Sequence, residues 1–238
     1  MPARSPSLLL LPGLACDAAL FEHQAAALAA LAPVRTSDAH TRGATLAAMA
    51  ALLLAEHRGP LWLVGASMGG MLALETQRQA PARVQGLALL GTTARPDTPE
   101  LIALRTRACE LFAAGRMDEV LRANVLLAFH PSRARAPGLV ERYLAMIRRA
   151  GAAQLIAQNQ AVMARPDSRP RLAAVACPVL VACGEADLLT PPQHAREMAA
   201  LMPHARLELV PGAGHMLTLE QPERVSALLV NWLRAVKA

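Results

Sequence analysis

The feature that most restricts this chain is a turn. The apolar run 61–64 passes without a spacer into Gly65-Ala66-Ser67-Met68-Gly69-Gly70, and residues 71–79 then read as a helix. A strand that turns directly into a helix through GxSxG brings the two backbones nearly into contact, so the flanking positions take glycine and the serine is held in a strained conformation. Its hydroxyl then projects into a cleft at the C-terminal edge of the sheet. The same geometry puts the Met68 N–H at a helix start, where a free amide and the helix dipole favour a negatively charged oxygen. A plain packing turn is the competing reading, and the strand before the motif and the helix after it argue against that.

The rest of the chain reads as a parallel sheet around this turn. Apolar runs at 7–11, 34–37, 85–90, 178–183 and 206–210 join 61–64, and most lack polar alternation, as strands covered on both faces should. Helix-length stretches fall between or after them at 20–31, 44–57, 69–79, 191–202 and 221–236. Strand and helix alternate, which predicts the α/β class.

The rhythm breaks over residues 98–171. No strand-like run occurs there, and four amphipathic segments follow one another, with Leu101, Leu104, Ala108, Leu111 and Phe112 at helical spacing in the first. Pro137-Gly138 and Gly151 mark breaks between segments. We therefore expect a core of residues 1–97 and 172–238, with 98–171 inserted as a helical cap.

A serine hydroxyl needs a base to remove its proton, and the base needs an orienting carboxylate. Of seven histidines, His23, His57, His194 and His204 fall in or beside helices, His40 lies in a polar turn and His130 precedes Pro131. All six read as ordinary surface or capping residues. His215 differs, because the loop Pro211-Gly212-Ala213-Gly214 carries it past the end of the last strand-like run, on the edge where Ser67 emerges. Asp187 sits in an equivalent loop after 178–183 and is the expected acid, with Glu185 and Asp97 as alternatives.

Composition removes several other functions. Aromatic residues are 3% of the chain, too few for stacking on nucleic-acid bases. The four cysteines form no CxxC pair and no Cys/His metal cluster, and Cys177 and Cys183 lie too far apart on one strand-like run to bridge, which implies a reducing compartment. Hydrolysis by an activated serine is expected to need no metal or organic cofactor. Pro12 and Gly13 cut the N-terminal apolar run short of a signal or membrane span, so a soluble, cytoplasmic protein is expected. The net charge is +6, and twelve arginines against six acids over 98–171 account for an equal excess. A basic insert could steer an acidic substrate or carrier protein, although arginines on solvated helix faces explain it as well.

The order Ser67, Asp187, His215, the GASMGG turn, the CGEAD loop and the PGAGHM loop together resemble the α/β-hydrolase superfamily, in the branch with a helical cap, over about residues 7–236. Within that branch the chain is similar to the small carboxylesterases that include pimeloyl-carrier-protein methyl ester esterases and 3-oxoadipate enol-lactonases. The resemblance implies hydrolysis of a small-molecule ester through an acyl group on Ser67. It also implies a second oxyanion donor just after an HG dipeptide near the first strand. Here that site reads Pro12-Gly13, and by position the donor is the Leu14 N–H. Thioester, lactone, perhydrolase and carbon–carbon hydrolase chemistry share these motifs, and so would a non-catalytic ligand-binding relative.

Overall fold

Residues 6–237 are described in the computed structural model. Six strands, β1 (Ser7–Leu11), β2 (Val34–Thr36), β3 (Leu61–Ala66), β4 (Val84–Leu90), β5 (Val179–Gly184) and β6 (Ala205–Val210), pair in parallel in the order β2-β1-β3-β4-β5-β6. All six expected strands are present. The largest shift of an end is at β3, which runs on to Ala66 and stops beside Ser67.

The helices are α1 (Glu22–Ala29), α2 (Leu46–Glu56), α3 (Met68–Gln79), α4 (Pro99–Ala113), α5 (Met117–Ala128), α6 (Pro137–Met163), α7 (Pro192–Leu201), α8 (Leu217–Glu220) and α9 (Pro222–Lys237). Successive strand residues point to opposite faces. Leu8, Leu10, Trp62 and Val64 therefore join Leu28 of α1 and Leu229 of α9 in one apolar cluster, while Leu9, Leu11, Leu63 and Leu89 join α2, α3 and α7 in another. Coverage of both faces is why the strands carry little polar alternation. Each fully buried leucine contributes about 1.5–3 kcal/mol.

The topology fixes where a site can form. From β1 the chain passes to β2 on one side and returns to β3 on the other, so the loops after β1 and β3 diverge and leave a crevice at their C-terminal ends. Both Gly13 and Ser67 lie there.

Helices α4, α5 and α6 occupy the sequence between β4 and β5. Thr98 caps α4 by accepting the Leu101 N–H, and α6 is broken at Gly151, whose φ of +77° interrupts the helix. The four expected segments are thus two helices and a third bent in two. The insert is tied down through Asp97, whose carboxylate binds Arg105 of α4 and Arg165 just beyond α6, each at 2.7 Å. It is also tied at the end of α5, where the Ala128 carbonyl accepts the Met216 N–H at 3.1 Å.

Two expectations change. The stretch 20–31 is a 3-10 turn over Ala18–Phe21 followed by the shorter α1, because the Asp17 side chain accepts the Ala19 N–H and starts a tight turn there. His40 is buried rather than at the surface, with Nε2 donating to the Cys16 carbonyl at 2.9 Å, and burial lowers its pKa. Among the described residues no helix is long and apolar enough to cross a membrane.

Candidate active site

Ser67 takes φ +52° and ψ −119°, a conformation that disfavours any side chain by about 1–3 kcal/mol. The surroundings hold it there. Its N–H donates to the Leu90 carbonyl at 2.9 Å, and its carbonyl accepts the Gly70 N–H at 2.9 Å and the Thr92 hydroxyl at 2.7 Å. A Cβ on Gly65 would overlap the Gly69 carbonyl, and one on Gly69 would overlap the Leu11 carbonyl, so only glycine lets strand and helix approach this closely.

His215 follows β6 on the expected loop. Its Nε2 lies 2.9 Å from the Ser67 Oγ, and its Nδ1 lies 2.9 Å from Oδ2 of Asp187. A carboxylate only accepts, so the ring proton resides on Nδ1 and Nε2 is free to accept the serine proton. Asp187 is 1% exposed. Burial pushes its carboxyl up, but the neighbouring His215 and the Thr190 donors outweigh burial and hold it below the ordinary range. Its Oδ1 accepts the N–H groups of Leu189 and Thr190, each at 2.9 Å, and its Oδ2 accepts the Thr190 hydroxyl at 2.9 Å.

Three residues distant in sequence thus meet in one hydrogen-bonded line. The alternatives for the acid do not join it: Glu185 is exposed, and the Asp97 carboxylate is held by its two arginines. Met68 opens α3, and Gly13 lies against Ser67, so a Cβ there would come 3.3 Å from the Ser67 Cβ. Among the described residues neither the Met68 nor the Leu14 amide donates to a protein acceptor.

Sequence reasoning missed two supporting groups. Thr190 orients Asp187, and its signal was the Asp-x-x-Thr spacing of a turn in which side chain bonds backbone. Glu220 is fully buried and accepts the Gly214 N–H at 2.8 Å and the His130 N–H at 2.7 Å, linking the histidine loop to the end of α5. Its signal was a lone acid in an otherwise apolar stretch after His215. Burial raises the Glu220 pKa despite these donors. Among the described residues no group of three or more His, Cys, Asp or Glu side chains is arranged to hold a metal ion.

A parallel sheet with a serine on the turn after its third strand, an acid after its fifth and a histidine after its sixth defines the α/β-hydrolase class. The profile of the Alpha/beta hydrolase family matches residues 8–228, and the chain belongs to that family. It is similar to a pimeloyl-[acyl-carrier protein] methyl ester esterase of Xanthomonas oryzae pv. oryzae, 30% identical over 74% of this chain and 71% of that one. A candidate non-heme bromoperoxidase of Mycobacterium tuberculosis, BpoC, is 29% identical over 85% of this chain and 79% of its own. Among solved structures, a thermophilic esterase from Thermogutta terrifontis superposes with a TM-score of 0.90 at 29% identity, covering 99% of this chain and 92% of that one. Esterases and other hydrolases among these relatives support a hydrolase.

Proposed function

We propose that the protein is a serine carboxylesterase. The observation that carries this reading is the line from Ser67 Oγ through the His215 ring to Asp187, with both links at 2.9 Å. Ser67 attacks the ester carbonyl carbon while its proton passes to His215 Nε2. The Met68 and Leu14 amides stabilise the tetrahedral oxyanion, and Asp187 keeps the imidazole in the productive tautomer. Collapse breaks the carbonyl carbon–oxygen bond, and His215 returns the proton to the departing alcohol. Water, deprotonated by His215, then attacks the acyl group on Ser67 and releases the acid.

In this reading α4 to α6 act as a cap over a core of residues 1–97 and 172–238, of which 1–5 and 238 lie outside the described residues, and the space under the cap selects the acyl group. The likeness to a carrier-protein methyl ester esterase favours an ester of an acidic acyl chain or carrier as substrate. The likeness to BpoC favours a second reading, in which hydrogen peroxide replaces water in the last step and a peracid leaves.

Hydrolysis of p-nitrophenyl esters from acetate to decanoate tests the first reading. We expect a chain-length optimum and a loss of at least about 10³-fold in kcat in Ser67→Ala. Turnover that survives in Ser67→Ala would refute it.

A further inference from the structure

His215 lies between two peptide groups that are each fixed by hydrogen bonds. In the Ala213–Gly214 peptide before it, the Ala213 carbonyl accepts the Ala186 N–H at 3.0 Å and the Gly214 N–H donates to Oε1 of Glu220 at 2.8 Å. One side of that peptide therefore rests on the loop carrying Asp187 and the other on Glu220. In the His215–Met216 peptide, the Met216 N–H donates to the Ala128 carbonyl at 3.1 Å. A planar peptide includes the α carbons at both its ends, so the two planes together hold the α carbons of Gly214 and His215.

The insert supplies half of this clamp. Ala128 ends α5, and two residues on the His130 N–H donates to Oε2 of Glu220 at 2.7 Å. Gly214 packs so closely on this segment that a Cβ there would fall 2.7 Å from both the His130 nitrogen and the Phe129 carbonyl carbon. The short helix α8 turns the chain back just after His215 and ends at Glu220, whose side chain is fully buried. A carboxylate has two acceptor oxygens, so this one group receives an N–H from each side of the junction. The Arg133 guanidinium closes the junction further by donating to the Glu220 carbonyl at 2.9 Å.

We propose that Glu220 is a positioning residue for His215, and that residues 128–130 of the insert form part of the seat of the catalytic base. The proposal rests on the serine esterase reading. It places the end of α5 within the catalytic frame, because lifting that segment off the core would draw the His215 backbone away from Ser67.

The test uses the full chain with p-nitrophenyl acetate, and the active serine is counted by fluorophosphonate titration carried to completion so that misfolded protein does not enter kcat. Glu220→Gln keeps the shape of the side chain, but its Nε2 only donates and so faces one of the two N–H groups without bonding it. His130→Pro removes the N–H on the insert side and leaves Glu220 and Gly214 in place. The extended Phe129 before it, at ψ 151°, suits a following proline. In each variant we expect kcat per titrated serine to fall at least about 5-fold and up to about 100-fold, the loss that a displacement of about 1 Å can cause, with KM changed less than about 3-fold. The second readout is the NMR signal of the His215 Nδ1 proton, which faces Asp187 in the parent and should shift or broaden in both variants. A role confined to stability would lower Tm and move neither readout. Should one variant fail to fold, the other decides.

A fall of less than about 5-fold in a folded variant, or a larger fall with the Nδ1 signal unmoved, overturns the proposal while leaving the esterase reading intact. A parent chain with no Ser67-dependent turnover overturns both.

Discussion

At the scale of single residues the site depends on where protons and charges are held. Asp187 has a depressed pKa, so its charged form stabilises the fold at every pH above the ordinary carboxylate range, and that contribution disappears as pH falls through the lower folded-state value. In Asp187→Asn we expect the deficit in Tm to be full above about pH 5 and to shrink below about pH 4. The same variant should lose about 10³- to 10⁴-fold in kcat, because the amide can donate to Nδ1 and select the wrong tautomer. Thermal melts across pH, paired with ester turnover, check both. Ser67, Asp187 and His215 were legible in the sequence because each occupies a loop just after a strand, and loops at one edge of a parallel sheet converge. The role of Glu220 was not. A lone acid stands out in the apolar stretch after His215, but the stretch does not reveal that its carboxylate meets an N–H 90 residues away.

At the scale of elements the question is how the insert is fastened to the sheet. The Asp97 side chain is 1% exposed and that of Arg165 is 6% exposed, so each neutralises a charge that would otherwise be stranded out of water. Asp97→Ala should destabilise the fold by about 3–5 kcal/mol, measured by urea unfolding, because two arginines lose their carboxylate. Its kcat per titrated serine should stay within about 2-fold of the parent, which separates this fastening role from the orienting role of Asp187. Strand positions were readable from apolar runs, and the Gly151 break was readable from composition. The early part of 20–31 was misjudged, because the Asp17 cap competes locally with helix and periodicity does not register it.

At the scale of the whole molecule the excess of positive charge is less available than the sequence implies. Arg105, Arg107, Arg116, Arg148, Arg149 and Arg165 are already bound to carboxylates, while Arg122 and Arg135 are exposed without an ion-pair partner among the described residues. Long-range attraction follows net charge, which stays at +6, whereas short-range recognition follows the unpaired cations. For an ester borne on an acidic carrier, kcat/KM should fall as salt rises and fall again in Arg122→Glu with Arg135→Glu. For neutral p-nitrophenyl acetate it should respond to neither change. Equal salt dependence for both substrates would remove the steering idea. Net charge is visible in a sequence, but its partition between paired and free arginines depends on contacts made only in the fold.

The central claim is that Ser67 carries the acyl group through the reaction, and rapid acid quenching of the chain during turnover of p-nitrophenyl acetate, followed by mass spectrometry of the peptide containing Ser67, addresses it directly. The expected result is an acetyl group on Ser67 that builds up before steady state and is absent in His215→Ala. Steady turnover with Ser67 unmodified at every time point would contradict it.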